Sequence, residues 1–419
     1  MKRAAVHTLG CKVNYYESEK IKELLSADGY ELVDFTDPAD VYVVNTCSVT
    51  AIADKKSRQI IHRARRKNEK AIVVAMGCYV QKEGIDPESL GCDLILGNNE
   101  KHALLEHLHS MERTVWRRDI NDPHEPYEEL FHEGREGIQK DRTRSFIKIQ
   151  DGCNQFCSYC IIPYVRGRTR SRSKASVLEE VLSVCRQGFK EVVLTGIHLS
   201  SYRDGETDLI DLCEAIDAGT PIRRLRLSSL EPRVVTEDFA RRLSGLSSVC
   251  PHFHLSLQSG SNAILAAMNR KYTTEEFARS VGLLRRYFDN PAITTDVIAG
   301  FPGETEEEFR KSRQFLEQMR FYEMHVFPFS AREGTPAAKM PGRLSNRIRQ
   351  ARAQELIGLA EQMSEDFRNS WIGREAEVLF EESEERDGDW YWTGFTREYI
   401  RVSYRSGEDL SNRILTVRM

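Results

Sequence analysis

Three thiols fall within eight residues in Cys153-Asn154-Gln155-Phe156-Cys157-Ser158-Tyr159-Cys160. Cysteine thiolates are the protein ligands of cubane iron–sulfur clusters. Three thiolates leave one iron of a four-iron cube without a protein ligand, and an open metal position is where substrate binds and chemistry starts. A structural zinc knot with a distant fourth ligand is the blander alternative. No second Cys-x-x-Cys lies downstream to complete it, yet spacing alone leaves it open.

A second trio is spread through the N-terminal third. Strands are expected at 3–8, 41–44, 71–76 and 93–96, with helices at 15–28 and about 50–68 between them. Alternating strands and helices imply a parallel sheet with helices on its faces. Cys11, Cys47 and Cys78 each lie just past the C-terminal end of one of the first three strands, the crest where open parallel sheets bind ligands. Gly10 and Gly77 precede two of them and allow tight turns or close approach. One such cysteine reads as a small hydrophobe, but three at equivalent positions point to a second three-thiolate cluster. Cys92 precedes its strand and belongs at the opposite edge; with Cys185, Cys213 and Cys250 it reads as structural.

Further strands are expected at 146–150, 191–195, 222–228, 252–257, 293–298 and 324–329, with helices at 174–188, 207–218, 235–245, 274–288 and 304–319. That alternation suggests an incomplete (β/α) barrel, whose site lies at the C-terminal strand ends. Besides the clustered cysteines, the rule selects Gly196, His198, Glu231, Gln258, Ser259, Gly300 and Gly303, each of which also reads as turn or cap chemistry. His254 reads as a core histidine. A helix at 343–369 follows, then strands at 375–380, 390–396, 400–404 and 414–418, which suggest a small antiparallel β-barrel. Its Tyr391, Trp392, Phe395, Arg397 and Tyr399 are candidate RNA contacts, or simply the core of a tiny domain. The fold class is therefore α/β, with expected units at 1–118, 143–366 and 367–419 and a linker at 119–142.

The bulk composition sets limits. A chain of 419 residues with 40% hydrophobic and 30% charged residues fits a soluble protein of two or three domains. No apolar run approaches the roughly 20 residues needed to span a bilayer, and the N-terminus lacks a signal-peptide pattern. Ten cysteines without a secretory signal suggest metal ligation in a reducing cytoplasm. The net charge of −4 excludes a generally basic protein. Local clusters at Lys55, Lys56, Arg58, Arg63, Arg65, Arg66 and Lys67, and at Arg166, Arg168, Arg170, Arg172 and Lys174, remain candidate phosphate contacts or solvated faces.

The run CNQFCSYCIIPYVRGRTRSR resembles radical S-adenosylmethionine enzymes, and specifically their methylthiotransferase family. TLGCKVNYYESE, VNTCSVT, AMGCYVQ, RLSSLEP, HLSLQSGSNAILAAMNRKYT and DVIAGFPGETEEEF extend that resemblance over most of the chain. CKVN is similar to the branch acting on threonylcarbamoyladenosine beside the tRNA anticodon. The resemblance implies two 4Fe-4S clusters and S-adenosylmethionine. The cluster on Cys153, Cys157 and Cys160 would bind S-adenosylmethionine and yield a radical that takes hydrogen from carbon 2 of adenine. That on Cys11, Cys47 and Cys78 would carry the sulfur, and a second S-adenosylmethionine the methyl group. Gly196, Glu231, Gln258 and Arg270 would contact the cofactor. Lys55, Arg58, Arg166, Arg168, Arg170, Arg172, Tyr391 and Arg397 would contact the anticodon stem-loop, the last two from a TRAM-like domain. An electron donor such as flavodoxin or ferredoxin, a monomeric state and a cytoplasmic location are also implied. The same chemistry on isopentenyladenosine or a ribosomal-protein aspartate is the runner-up. A metal-holding RNA-binding module without turnover is the reading of a different class.

Overall fold

The computed structural model describes residues 1–82, 84–110, 114–117, 120, 126–131 and 143–419. Most of the expected linker thus lies outside the described residues.

Strands β1 (Arg3–Thr8), β2 (Glu31–Leu32), β3 (Val41–Thr46), β4 (Ile72–Gly77), β5 (Leu94–Leu96) and β6 (Thr114–Trp116) form one parallel sheet in the order β2-β1-β3-β4-β5-β6. β3 is buried along its whole length, as expected for a strand covered on both faces. Ile21, Leu24 and Leu25 of the helix Lys12–Ala27 pack on one face against Val41, Val43 and Val74. Ile61 and Ala64 of the helix Ala51–Lys67 cover the other, against Tyr42, Val44 and Val73. The first helix starts three residues before its expected position, directly after Cys11. Its extra turn is held by Asn14, whose Nδ2 donates to the carbonyls of Leu9 (2.7 Å) and Thr46 (2.9 Å).

The next strands are β7 (Arg144–Asp151), β8 (Arg170–Ser171), the hairpin β10 (Arg203–Asp204) and β11 (Thr207–Asp208) after β9 (Glu191–Gly196), then β12 (Arg224–Leu227), β13 (His252–His254), β14 (Ala292–Ala299) and β15 (Glu323–Pro328). β7, β9 and β12 pair in parallel, as do β13, β14 and β15. Parallel bridges Leu225–Val249 and Leu230–Leu255 join the two halves. The result is the expected six-strand partial barrel. Ile147, Val192, Leu225, Phe253, Ile293 and Met324 share the outer core, so alternate residues on each strand face the lumen. The helix Asn346–Asn369 adds Ala353, Leu356 and Met363 to that core.

The C-terminal strands β16 (Glu375–Arg386), β17 (Asp389–Thr396), β18 (Arg401–Arg405) and β19 (Ile414–Arg418) form an antiparallel half-barrel, in the order β18-β17-β16-β19. It sits on the N-terminal ends of the barrel strands. Arg224 donates to the carbonyls of Glu377 (2.6 Å) and Phe395 (2.9 Å), and Arg226 to that of Arg397 (2.9 Å). The Tyr399 ring lies 5.0 Å from the Arg144 guanidinium and 4.8 Å from that of Arg226. Among the described residues no helix is long and apolar enough to cross a membrane.

Candidate active site

Cys153, Cys157 and Cys160 occupy the loop that leaves β7. Gly152, at φ +70°, starts it, and a Cβ there would lie 1.8 Å from the Arg168 carbonyl oxygen. The loop is closed by Cys153 N donating to the Gly167 carbonyl (3.0 Å) and Cys160 N to that of Cys157 (3.0 Å). Arg270 donates from Nη1 to Sγ of Cys157 (3.2 Å), from Nε to the Tyr272 hydroxyl (2.8 Å) and from Nη2 to the Ser256 carbonyl (3.1 Å). Burial pushes the Cys153 thiol up to about 11 and that of Cys160 to about 12, so metal must displace protons to bind here.

Cys11, Cys47 and Cys78 meet at the crest of the N-terminal sheet. Gly10 (φ +102°) and Gly77 (φ +94°) both use left-handed backbone, and a Cβ on Gly10 would lie 2.6 Å from Sγ of Cys47. Cys47 and Cys78 are buried and Cys11 is exposed. Arg166 donates from Nε to Sγ of Cys78 (3.2 Å), from Nη1 to Glu17 (3.0 Å) and Asp151 (3.1 Å), and from Nη2 to Asn14. Glu17 also accepts from Lys101 and from Lys148 (2.8 Å), and Lys148 pairs with Asp151 (2.7 Å). Burial works against a charge on Glu17, but Arg166, Lys101 and Lys148 outweigh it and hold its carboxyl well below the usual range. With Arg170 at 3.9 Å from Asp151, four cations thus face two carboxylates, leaving a net positive charge beside Cys78. That surplus suits a negatively charged thiolate centre.

In neither trio do all three sulfurs lie within 4.8 Å of one another. One tetrahedral zinc, with Zn–S about 2.3 Å, needs sulfurs about 3.8 Å apart. Among the described residues, the group that does lie within 4.8 Å is His254, Asp296 and His325. His254 is therefore not a plain core histidine: it shares Asp296 with His325, at 3.3 and 3.2 Å, on the lumen side of neighbouring strands. Cys92 is buried away from the crest, and its thiol is raised to about 12 by burial, as expected of a structural cysteine.

The remaining barrel-mouth residues come together. His198 N donates to Oε1 of Gln150 (2.7 Å), whose Nε2 donates to the Gly152 carbonyl (2.8 Å). Burial, then the charges of Arg270 and Arg233, push His198 down to about 4, and its Nε2 has no hydrogen-bond partner among the described residues. Glu231 accepts from Arg233 (2.7 Å). Gln258 holds a strained φ of +77° past the end of β13, where it bridges to Val297 of β14. An unpartnered ring nitrogen, a carboxylate and two guanidiniums beside the first trio fit a zwitterionic cofactor. Gly196 acts differently: a Cβ there would meet Gln150 at 2.9 Å. The Gly300–Gly303 turn is taken up in packing, with Glu304 accepting from Gly300 N (2.9 Å) and Arg352 (2.7 Å).

Several expected RNA contacts are corrected. Arg166 and Arg172 are fully buried; Arg172 pairs with Glu129 (2.7 Å) and Glu180. Arg170 is buried and donates to the Arg166 carbonyl (3.0 Å). Arg397 donates to the carbonyls of Ser247 (2.7 Å) and Val249 (2.8 Å), which ties the half-barrel to the barrel. These arginines hold the fold together because buried charge needs a partner. Lys55, Arg58 and Arg168 are exposed, and Tyr391 is half-buried. The Arg168 guanidinium lies 4.9 Å from the Phe156 ring. A cavity of about 990 Å³ opens next to Tyr79 and Ile161, the residues after Cys78 and Cys160, and its lining includes Arg58, Lys82, Arg117 and Tyr164 together with Asp54 and Glu333. Asn98 escaped the sequence reading. It lies past the fourth expected strand, where the crest rule could have found it, and donates to Sγ of Cys78 (3.8 Å).

Residues 147–316 match the radical SAM superfamily, and residues 3–97 match uncharacterized protein family UPF0004. The chain is 37% identical to the threonylcarbamoyladenosine tRNA methylthiotransferase MtaB of Bacillus subtilis, over 100% of this chain and 94% of that protein. It is 33% identical to a tRNA-2-methylthio-N(6)-dimethylallyladenosine synthase of Alkaliphilus oremlandii, over 100% and 90%. The radical S-adenosylmethionine methyltransferase TsrM of Kitasatospora setae shares the fold, with a TM-score of 0.61 at 18% identity over 80% of this chain and 74% of that one. Superfamily membership implies a 4Fe-4S cluster and S-adenosylmethionine. With two full-length relatives of this kind, a crest trio linked through Arg166 to the strand that carries the barrel trio, and both domain families in order, the chain belongs to the radical S-adenosylmethionine methylthiotransferases.

Proposed function

We propose that the protein methylthiolates carbon 2 of N6-threonylcarbamoyladenosine next to the anticodon of tRNA, using two 4Fe-4S clusters. The observation that carries this reading is the pair of three-thiol sites joined through Arg166, whose partners include Cys78 and Asp151. Unactivated C–H bonds lie beyond side-chain acid–base chemistry, so the clusters and S-adenosylmethionine, when bound, supply the radical, the sulfur and the methyl group. The chain's own residues bind, orient and exclude water. Cys153, Cys157 and Cys160 would hold one cluster and Cys11, Cys47 and Cys78 the other. Arg270 places a cation against Cys157. Glu231, kept in place by Arg233, would accept from the cofactor's amino group, and His198 stays neutral beside it.

The RNA would approach over the cavity next to Tyr79, where the exposed Tyr164 offers a stacking face near Arg58. Aromatic faces among cations suit a single-stranded loop. Lys55 on the same helix and Arg168 over Phe156 would extend the phosphate track.

The test is mass spectrometry of tRNA nucleosides. Threonylcarbamoyl-bearing tRNA is incubated anaerobically with reconstituted protein, S-adenosylmethionine and a one-electron reductant. A methylthio mass gain, lost in Cys157→Ala, supports the reading. Gain on isopentenyladenosine alone would replace the substrate.

A further inference from the structure

Three neighbouring strands turn His254, Asp296 and His325 to the lumen. His254 of β13 stands opposite Thr294 of β14, and His325 of β15 stands opposite Asp296, two residues further along β14. The adjacent Phe253, Val297 and Met324 belong to the outer core, so strand alternation sends all three polar side chains to the inner face. One donor atom from each lies within 4.8 Å of the other two. Nε2 of His254 is 3.3 Å from Oδ2 of Asp296, and Nδ1 of His325 is 3.2 Å from Oδ1. Two donors held by one metal ion at about 2.1 Å sit roughly 3.0–3.4 Å apart. Hydrogen bonds alone give similar distances, so two further observations decide.

The first is the company Asp296 keeps. Glu17, Asp151, Glu180 and Glu191 each pair with a lysine or arginine. Asp296 is half-buried, yet among the described residues no lysine or arginine lies within ion-pair distance of it, and its partners are the two imidazoles. A carboxylate withdrawn from water needs a positive partner. The second is the other ring nitrogen of His254. Nδ1 lies 3.0 Å from Oγ1 of Thr294. Metal-ligating histidines hand their second N–H to an acceptor of this kind, which fixes tautomer and ring orientation. With the proton on Nδ1, Nε2 turns a lone pair toward the carboxylate, and that arrangement calls for a cation between them. The His325 side chain is half exposed and leaves an entry path.

We propose that His254, Asp296 and His325 bind a divalent first-row transition-metal ion in the barrel lumen. Two imidazoles and one carboxylate favour zinc, iron(II) or cobalt(II) over magnesium and calcium, which take oxygen donors. Three protein ligands leave at least one coordination position for water or another oxygen donor. Protons on the imidazoles and the ion are alternative partners of Asp296, so uptake of the metal releases protons. The site shares no residue with the two cysteine trios and does not depend on which nucleoside is the substrate.

The test measures metal uptake by the full, cluster-reconstituted protein. It is desalted and dialysed anaerobically against buffered zinc(II) or cobalt(II), and the metal other than iron is counted per chain by mass spectrometry. At micromolar free metal, wild type should hold one more equivalent than Asp296→Asn or His325→Gln. Loss of a ligand should weaken binding by more than the roughly 10–100-fold that loss of an outer-sphere partner costs, and Thr294→Val should weaken it by that smaller factor. Iron content and melting temperature check that each variant folds and keeps its clusters; His325→Gln, at a half-exposed position, is the milder of the two ligand changes. Equal uptake by wild type and both ligand variants overturns the site. So does wild-type binding that appears only at millimolar metal, the mark of an adventitious ion.

Discussion

Arg166 donates from Nε to Sγ of Cys78 at 3.2 Å, and from Nη1 to Asp151, just ahead of Cys153, at 3.1 Å. One guanidinium thus ties the crest trio to the strand that carries the barrel trio. Arg166→Met leaves Glu17 with Lys101 and Lys148 and Cys78 with Asn98, but strips Cys78 of its charged donor and breaks a fully buried network. Breaking such a pair costs about 3–5 kcal/mol. The expected outcome is a lower melting temperature and a loss of roughly half the iron and sulfide after reconstitution, since two cubane sites are proposed. Arg166→Lys should recover little, because an ammonium cannot reproduce the planar fork. Full iron content in Arg166→Met would remove the arginine from the cluster environment.

Gly10→Ala should empty the crest site specifically. The new Cβ would lie 2.6 Å from Sγ of Cys47, at a φ of +102°. Gly29→Ala is the control: its φ is +86°, but nothing lies within 4 Å of the added carbon. Both variants carry a backbone penalty of about 1 kcal/mol. Only Gly10→Ala also displaces a ligand. Iron analysis and the visible absorbance of reconstituted protein distinguish them, and equal iron in both variants would refute the steric argument.

The cysteine trios and the six barrel strands could be read from the chain because each is written locally, as a strand followed by its crest residues. Charge pairing is not local. Arg166, Arg170 and Arg172 look like a basic run, yet their partners Glu17, Asp151, Glu129 and Glu180 come from elsewhere in the sequence. The early start of the first helix was hidden for a similar reason, since Asn14 holds that turn partly through the carbonyl of Thr46 at the end of β3.

Arg397 and Arg58 should part company in RNA binding. Arg397→Ala removes donors to Ser247 and Val249, so it should loosen the half-barrel at a cost of about 1–3 kcal/mol. The salt dependence of RNA affinity should not change. Arg58 is exposed on the cavity rim, bonded to the Tyr79 hydroxyl at 3.2 Å. Its replacement by Ala should lower the salt slope by about 1 and leave the melting temperature nearly unchanged. Thermal melts and affinities at several salt concentrations decide the matter, and a reversed pattern would return Arg397 to the RNA interface.

Asp296 and His325 should be most strongly coupled in mildly acidic solution. Burial opposes the charge on Asp296, but hydrogen bonds from His254 and His325 outweigh it and hold the carboxyl below its usual range. The hydrogen bond to Asp296 raises His325, against desolvation and the nearby Lys12. A depressed carboxyl adds stability that is present above the ordinary carboxylate value and is lost as pH falls. A raised imidazole adds stability that is present below its ordinary value and is lost as pH rises. The two contributions overlap from about pH 4 to about 6.5. The stability difference between wild type and Asp296→Asn should therefore be largest in that window and shrink on either side. NMR titration should find the His325 ring losing its proton at lower pH in Asp296→Asn, because the acceptor that favoured its charged form is gone. His325 is about half exposed, so the effect on stability should be small while the shift in titration is clear. An unchanged His325 titration would mean that the lumen carboxylate and imidazole are not coupled in solution.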